Sequence, residues 1–176
     1  TANQKLAGLE SRNQAKTFIY ALLYGAGDAK LGSVAGRGRA AGKQLRQSFF
    51  DNLPSFKALT GRVQREAKSG FVKALDGRKL TVRSEHAALN TLLQGAGAIV
   101  MKQALIILDK MIADQDLSAK FVANVHDEWQ IECSTADAEA VGKAGVKAII
   151  QAGKDFNLNC PLDGEYKVGD NWSETH

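Results

Sequence analysis

Apolar residues Ala15, Phe18, Ile19 and Leu22 recur at the i, i+3, i+4, i+7 spacing of one helix face. The pattern predicts a helix over Ser11–Tyr24, with Ser11 as N-cap and Gly25-Ala26-Gly27 as its stop. The glycine-rich basic stretch Gly32–Arg39 reads as a loose connection. Helices are expected next from Ala40 to about Asn52 and from Pro54 to Lys68, separated where Pro54 disfavours helical backbone before it. Phe71–Ala74 and Lys79–Arg83 flank Leu75-Asp76-Gly77-Arg78, the signature of a β-hairpin turning on Asp-Gly. From Glu85 to about Asp114, Leu89, Leu92, Leu93, Ala96, Ile99 and Val100 line one face of a long helix. Ala119–Cys133 forms two alternating runs broken at His126-Asp127-Glu128, a second hairpin with its charges at the turn. Ala136–Ala152 is the last long helix, and Tyr166–Trp172 reads as a short strand and turn. Helices with two hairpins argue for an α+β fold rather than alternating βαβ units.

Composition narrows the class without naming a chemistry. With 176 residues, 44% hydrophobic and 24% charged, the chain has the make-up of a globular protein and room for one good core or two small ones. The longest apolar run, Ala96–Met101, is far from the roughly 20 residues of a membrane helix, and no basic-then-apolar leader opens the sequence. The expectation is a soluble, cytoplasmic protein with no membrane partner. Cys133 and Cys160 make neither a disulfide framework nor a zinc spacing, so free thiols are expected. Charge is more telling. Through Ser84, sixteen Lys and Arg face five Asp and Glu, a balance of +11; from Glu85 onward seven face fourteen, a balance of −7. A basic half suits polyanions such as nucleic acid and an acidic half suits cations, although an unevenly charged solvated surface has the same arithmetic.

Three groupings can carry chemistry. Arg12, Lys16, Tyr20 and Tyr24 follow one another at i+4 steps, each drifting about 40° around the helix, so two cations and two aromatics share a stripe beside the apolar face. Such a stripe suits phosphates at one end and a base at the other; Lys and Tyr stems covering apolar surface have the same spacing. His86, Asn90 and Gln94 repeat the arrangement later, presenting hydrogen-bonding groups fit for minor-groove acceptors or for polar trimming of a half-buried helix. Val125-His-Asp-Glu-Trp129 places adjacent carboxylates at a hairpin turn, where oxygen ligands suit Mg²⁺, or where a turn is simply exposed. A phosphate loop and a serine elbow are both missing.

Taken together, these motifs resemble the C-terminal part of the family A DNA polymerases, the group that includes bacterial DNA polymerase I, and above all the replicative polymerases of short-tailed phages. Arg12–Gly25 is similar to motif B, the fingers helix that closes over the incoming nucleotide. Leu75–Arg78 followed by His86–Gly97 resembles the hairpin and palm helix that touch the primer-template minor groove. Val125–Glu128 resembles motif C, and Gly169–Trp172 with His176 resembles the family's chain end.

The resemblance implies a helical fingers lobe with a hairpin over residues 1–84 and part of a palm with short antiparallel strands over 85–176. It implies that Arg12 and Lys16 bind the triphosphate, Lys16 steadying the pyrophosphate leaving group, that Tyr20 stacks near sugar and base, and that Tyr24 stacks at the templating position. The Tyr20 hydroxyl, where many relatives have phenylalanine, implies tolerance of dideoxynucleotides. Asn90 and Gln94, with His86 beside them, would contact the DNA. Asp127 would ligate the metals, Glu128 would stand in their outer shell, and His126 would approach the primer terminus. Two Mg²⁺ about 3.5–4 Å apart are the cofactors implied. The partners implied are primer-template DNA and deoxynucleoside triphosphates, and the place is the host cytoplasm if a phage encodes the chain.

The family's other metal-binding aspartate belongs to motif A, upstream of the fingers, as do the thumb and the 3′–5′ exonuclease. The sequence begins almost at motif B, so a fragment or a split polymerase needing a second polypeptide is expected, silent when alone. A non-catalytic module that binds nucleotide or nucleic acid is the alternative, and a purely structural protein a third.

Overall fold

The computed structural model describes Lys5 and residues 8–176. The chain forms two compact units, one reaching to Gln94 and the other running from Gly95 to His176.

The first unit opens with helix α1 (Arg12–Leu23). Its start is written as Ser-x-x-Gln: the Gln14 amide N–H donates to Ser11 Oγ at 3.1 Å and the Ser11 N–H to Gln14 Oε1 at 3.2 Å, satisfying donors that a helix end leaves open. Phe18, fully buried, meets Phe49 edge-on with ring centroids 5.7 Å apart, and Phe49 meets Phe56 in the same way at 6.0 Å. Burying a side chain of this size contributes about 1.5–3 kcal/mol, and edge-on ring pairs add somewhat more.

The stretch Gly32–Arg39 is the loose connection its glycines suggest only in its middle, over residues 35–38. Helix α2 (Asp28–Val34) takes in its first three residues, residues 35–38 make the turn and connection, and α3 (Arg39–Asn52) follows. Gly32 in α2 and Gly42 in α3 are there for close approach: a Cβ on Gly42 would stand 1.8 Å from the Asp28 carbonyl oxygen, and one on Gly32 2.1 Å from that of Gly38, whereas one on Gly36 or Gly38 would meet nothing. Arg46 fastens the same corner, donating from a terminal guanidinium nitrogen to the Ala26 carbonyl at 2.6 Å and placing Nε 3.0 Å from Asp28 Oδ1.

Helix α4 (Pro54–Ala67) begins with proline, whose missing N–H costs nothing there. Strands β1 (Phe71–Lys73) and β2 (Lys79–Thr81) pair antiparallel with Val72 opposite Leu80, and Gly77, at φ 88°, supplies the turn. Val72 is fully buried with Val63, Ala67 and Ala88.

A 3₁₀ turn over Glu85–Ala87, capped by Ser84, leads into the long helix α5 (Ala88–Asp114). Leu89, Ile99 and Val100 of the expected face are buried, but Leu93 is exposed, as is Ile106. The segment Glu85–Asp114 is long and apolar enough to cross a membrane by length and composition, which a search for unbroken apolar runs misses because single polar residues interrupt it.

In the second unit β3 (Ala119–Val125) and β4 (Glu128–Cys133) form an antiparallel pair with a register shift between Phe121 and Ala123. Leu108 and Ile112 of α5 pack with Ala144 and Ala148 of α6 (Ala138–Asp155), and Trp129 and Ile131 close over them. The closing stretch Tyr166–Trp172 forms no strand, contrary to its sequence pattern. Tyr166 lies instead in a notch at Gly142, where a Cβ would stand 2.2 Å from the ring, and its hydroxyl donates to Glu139 Oε2 at 2.7 Å. A single helical turn, α7 (Trp172–Thr175), ends the fold.

Several carboxylates on these elements lie below their ordinary values. The Ser134 hydroxyl and the Ser118 N–H lower Asp137, and the Tyr166 hydroxyl and Lys143 lower Glu139. A depressed carboxyl adds stability in full above its unfolded value of about 4, and that stability drains as pH falls through the folded value. The melting temperature is therefore expected to drop between pH 6 and pH 3, and to drop less in Asp137→Asn, a comparison that scanning calorimetry makes directly.

Candidate functional site

The candidate residues fall into two groups, one in each unit. In the first unit Arg12, Lys16, Tyr20 and Tyr24 are all exposed, on a stripe of α1 beside the face that buries Ala15, Phe18 and Leu22. Half of the Tyr20 surface and more of Tyr24 is open, at 51% and 59%. Aromatic rings kept that far from the core are available to stack on something else. Lys16 Nζ stands 5.8 Å from the Tyr20 ring centroid, within cation–π reach.

Tyr24 is the C-cap of α1, and Gly25, at φ 77°, turns the chain away behind it. A Cβ at Gly25 would stand 2.2 Å from the His86 carbonyl oxygen, so this glycine is demanded by conformation and by space. The contact seats the end of α1 on the 3₁₀ turn that carries His86. One helix further, Gln94 Nε2 donates to Tyr24 Oη at 3.4 Å. Tyr24, His86 and Gln94 are thus gathered at one place, and Asn90, half-buried, lies one turn before Gln94 on α5. Gly25→Ala is expected to cost about 1–3 kcal/mol through overpacking and strain and to lower the melting temperature by roughly 3–10 °C, measured by thermal unfolding of the two chains.

In the second unit Val125 pairs with Glu128, so His126 and Asp127 alone make the two-residue turn. Glu128 opens β4 instead of belonging to the turn. His126 holds φ at 55°, a left-handed conformation that histidine tolerates better than most side chains but that still stores strain. Asp127 is exposed at the tip, and its carboxylate has no hydrogen-bond or ion-pair partner among the described residues.

Glu128 is the opposite case. Its Oε1 accepts from the Gln130 amide and from Trp172 Nε1, the latter at 3.0 Å, while Oε2 accepts from His176 Nδ1 at 2.9 Å. The Gln130 amide, then the His176 ring and the Trp172 indole, hold its carboxyl below the usual range, so it is an anion. Trp172 and His176 lie 44 and 48 positions along the chain from Glu128. Their part in this cluster went unseen in the sequence because no local spacing signals a contact over that distance.

No cluster of three or more His, Cys, Asp and Glu side chains able to hold a metal exists among the described residues. For Mg²⁺ the donor chemistry fits at Asp127, a free hard oxygen ligand on a constrained turn, and fits less directly at Glu128, whose oxygens are already taken. Cys133, at the far end of β4 from Glu128, and Cys160 are free thiols.

The family profile described as DNA polymerase family A matches residues 2–174. The chain is similar to the DNA-directed DNA polymerase of Escherichia phage Phieco32, 42% identical over 181 residues that take in 99% of this chain and 30% of the phage protein. It is 40% identical to the DNA-directed DNA polymerase of Escherichia phage T7 over 198 residues, 100% of this chain and 28% of that one. DNA polymerase I of Aquifex aeolicus is 33% identical over 174 residues, covering 94% and 30%. Among solved structures, the POL domain of Pol1 from M. smegmatis, in complex with DNA primer-template and dNTP, superposes with a TM-score of 0.73 at 25% identity, over 80% of this chain and 27% of that chain. The chain spans under a third of the length of these relatives. With the profile running through both units and across every candidate residue, the chain belongs to DNA polymerase family A.

Proposed function

We propose that the chain is the nucleotide-binding and distal catalytic part of a DNA-directed DNA polymerase, extending a primer by template-directed nucleotidyl transfer. The observation that carries this reading is the stripe Arg12, Lys16, Tyr20, Tyr24, exposed along one side of α1 and tied by Tyr24 to Gln94. Residues 1–84 form the fingers with their hairpin and residues 85–176 the distal palm. Primer-template DNA and deoxynucleoside triphosphates are the partners, in the cytoplasm of a host cell if a phage encodes the chain.

Arg12 and Lys16 bind the triphosphate, Arg12 by its planar fork of donors and Lys16 as a point charge. Lys16 stabilises the negative charge that develops on the departing pyrophosphate and can donate it a proton. Tyr20 packs against the sugar and base, and Tyr24 offers its ring to the templating position, steadied by Gln94. Asn90 and Gln94 donate to the acceptors that every base pair shows in the minor groove, with His86 beside them, which registers pairing geometry and not sequence.

Asp127 offers its carboxylate to divalent cations at the primer end, Glu128 supports it from the neighbouring strand, and His126 faces the primer terminus. Bound there, a pair of Mg²⁺ would activate the primer 3′ hydroxyl and neutralise the leaving oxygen. A second carboxylate for that pair comes from the part of the polymerase that precedes motif B, in the same or another polypeptide.

Primer extension with Mg²⁺ tests this. The chain alone is expected to be inert, and the chain combined with a polypeptide supplying the preceding palm and thumb of a family A relative is expected to extend the primer. If the complete combination binds DNA yet stays inert, the chain is a binding module without the chemistry.

A further inference from the structure

The segment that closes the sequence is built to reach one carboxylate. After α6 it returns along that helix, seating Leu162 against Gly153, where a Cβ would stand 2.9 Å from the leucine, and Tyr166 against Gly142. It then enters α7 through a tightly tied cap: Glu174 accepts from the Asp170 N–H at 2.9 Å and from Asn171 Nδ2 at 2.7 Å, and the Ser173 N–H donates to Asn171 Oδ1 at 3.1 Å. From this anchored turn Trp172 and His176 extend to different oxygens of Glu128. Thr175 completes the arrangement by donating to Gln130 Oε1 at 3.1 Å, the same Gln130 whose amide donates to Glu128.

Burial does not account for this placement. Trp172 is 48% exposed, and an indole so open gains little from apolar contact, so the hydrogen bond is what its position secures. The rings of Trp172 and His176 meet edge-on at 6.3 Å, so the two donors support each other. An ionised carboxylate has about four lone-pair sites, and here three donors use them. Were Glu128 to turn onto a cation, an indole N–H and an imidazole N–H would lose an anionic acceptor together. Asp127, next in the chain and without such partners, has nothing to give up.

We propose that Trp172 and His176 are positioning residues that keep the Glu128 carboxylate on protein donors, leaving Asp127 as the one carboxylate of the hairpin tip that meets a divalent cation directly. The polymerase reading enters only in what that cation then does; the positioning itself is a property of this chain.

The test uses the full chain, ¹⁵N-labelled and titrated with Mn²⁺, read as paramagnetic broadening of the His126, Asp127 and Glu128 amide signals. In the wild type the broadening is expected at the weak affinity of a single carboxylate. In Trp172→Phe/His176→Ala, which keeps a ring at 172, Glu128 is released to act as a second ligand, and the Mn²⁺ concentration for half-broadening is expected to fall roughly tenfold. Adding Glu128→Gln to that variant removes the gain. Equal affinities in the wild type and the double variant, or a gain that survives Glu128→Gln, would overturn the proposal.

A second reading needs no disrupted strap. Glu128→Gln in the otherwise unchanged chain is expected to shift the Trp172 indole N–H resonance and leave that of Trp129 in place; an unmoved Trp172 signal rejects the contact. Neither measurement involves primer extension, so a failure of the polymerase reading and a failure of this one are told apart.

Discussion

Asp127→Ala is expected to lower primer extension by the completed polymerase about a thousandfold, with DNA binding nearly unchanged. The estimate follows from what the residue supplies. A divalent cation at the reacting oxygens is worth several kcal/mol of transition-state stabilisation, and about 4 kcal/mol is a factor of roughly a thousand in rate. Asp127 is the exposed, unpartnered carboxylate of the hairpin tip, and Glu128 next to it is already engaged by Gln130, Trp172 and His176. A replacement ligand is therefore not at hand. Asp127 is not part of the core, since Trp129 and Ile131 do the packing for this hairpin, so the variant should melt close to the wild type. Single-turnover extension and a melting curve on the same preparation check both halves of the expectation.

Lys16→Ala comes next in size. In the proposed reaction Lys16 meets charge that grows on the pyrophosphate only as the bond breaks, so its loss is expected in kcat, by roughly a hundredfold to a thousandfold. The KM for nucleotide should move far less, because the same proposal has Arg12 still gripping the triphosphate in the ground state. Arg12→Ala should show the reverse emphasis, with a raised KM and a smaller change in kcat. Both side chains are exposed on α1 and contribute nothing to the Phe18 cluster, which keeps stability out of the comparison. Steady-state kinetics with a defined primer-template separates the two effects.

Much of this architecture could be read from spacing. The α1 capping box is spelled by Ser11 and Gln14, its buried face by Ala15, Phe18 and Leu22, and the first hairpin by Asp76-Gly77. Each is a local rule in which neighbouring residues decide the outcome. What spacing could not tell was set by contacts between distant segments. Gly32 carries the sequence mark of a flexible loop, yet it and Gly42 of the next helix let backbones approach closely, a meaning visible only once the partner carbonyl is known. Tyr166–Trp172 alternates like a strand but pairs with no strand among the described residues, and the notch at Gly142 takes its tyrosine instead. The stripe Arg12 to Tyr24 and the Asp127 tip were legible as residue types in a pattern. The Tyr24–Gln94 bond and the hold of Trp172 and His176 on Glu128 span 70, 44 and 48 positions, and no pattern within a helix or hairpin encodes them.

On the proposed function this chain supplies the nucleotide-selecting and catalytic surface of a template-directed polymerase. Single-nucleotide addition opposite each of the four templating bases measures it most directly, with the chain and its complementing polypeptide together and each alone. The combination is expected to add only the complementary nucleotide on every template, and neither part to add any. Addition that ignores the templating base, or that proceeds equally well without this chain, would contradict it.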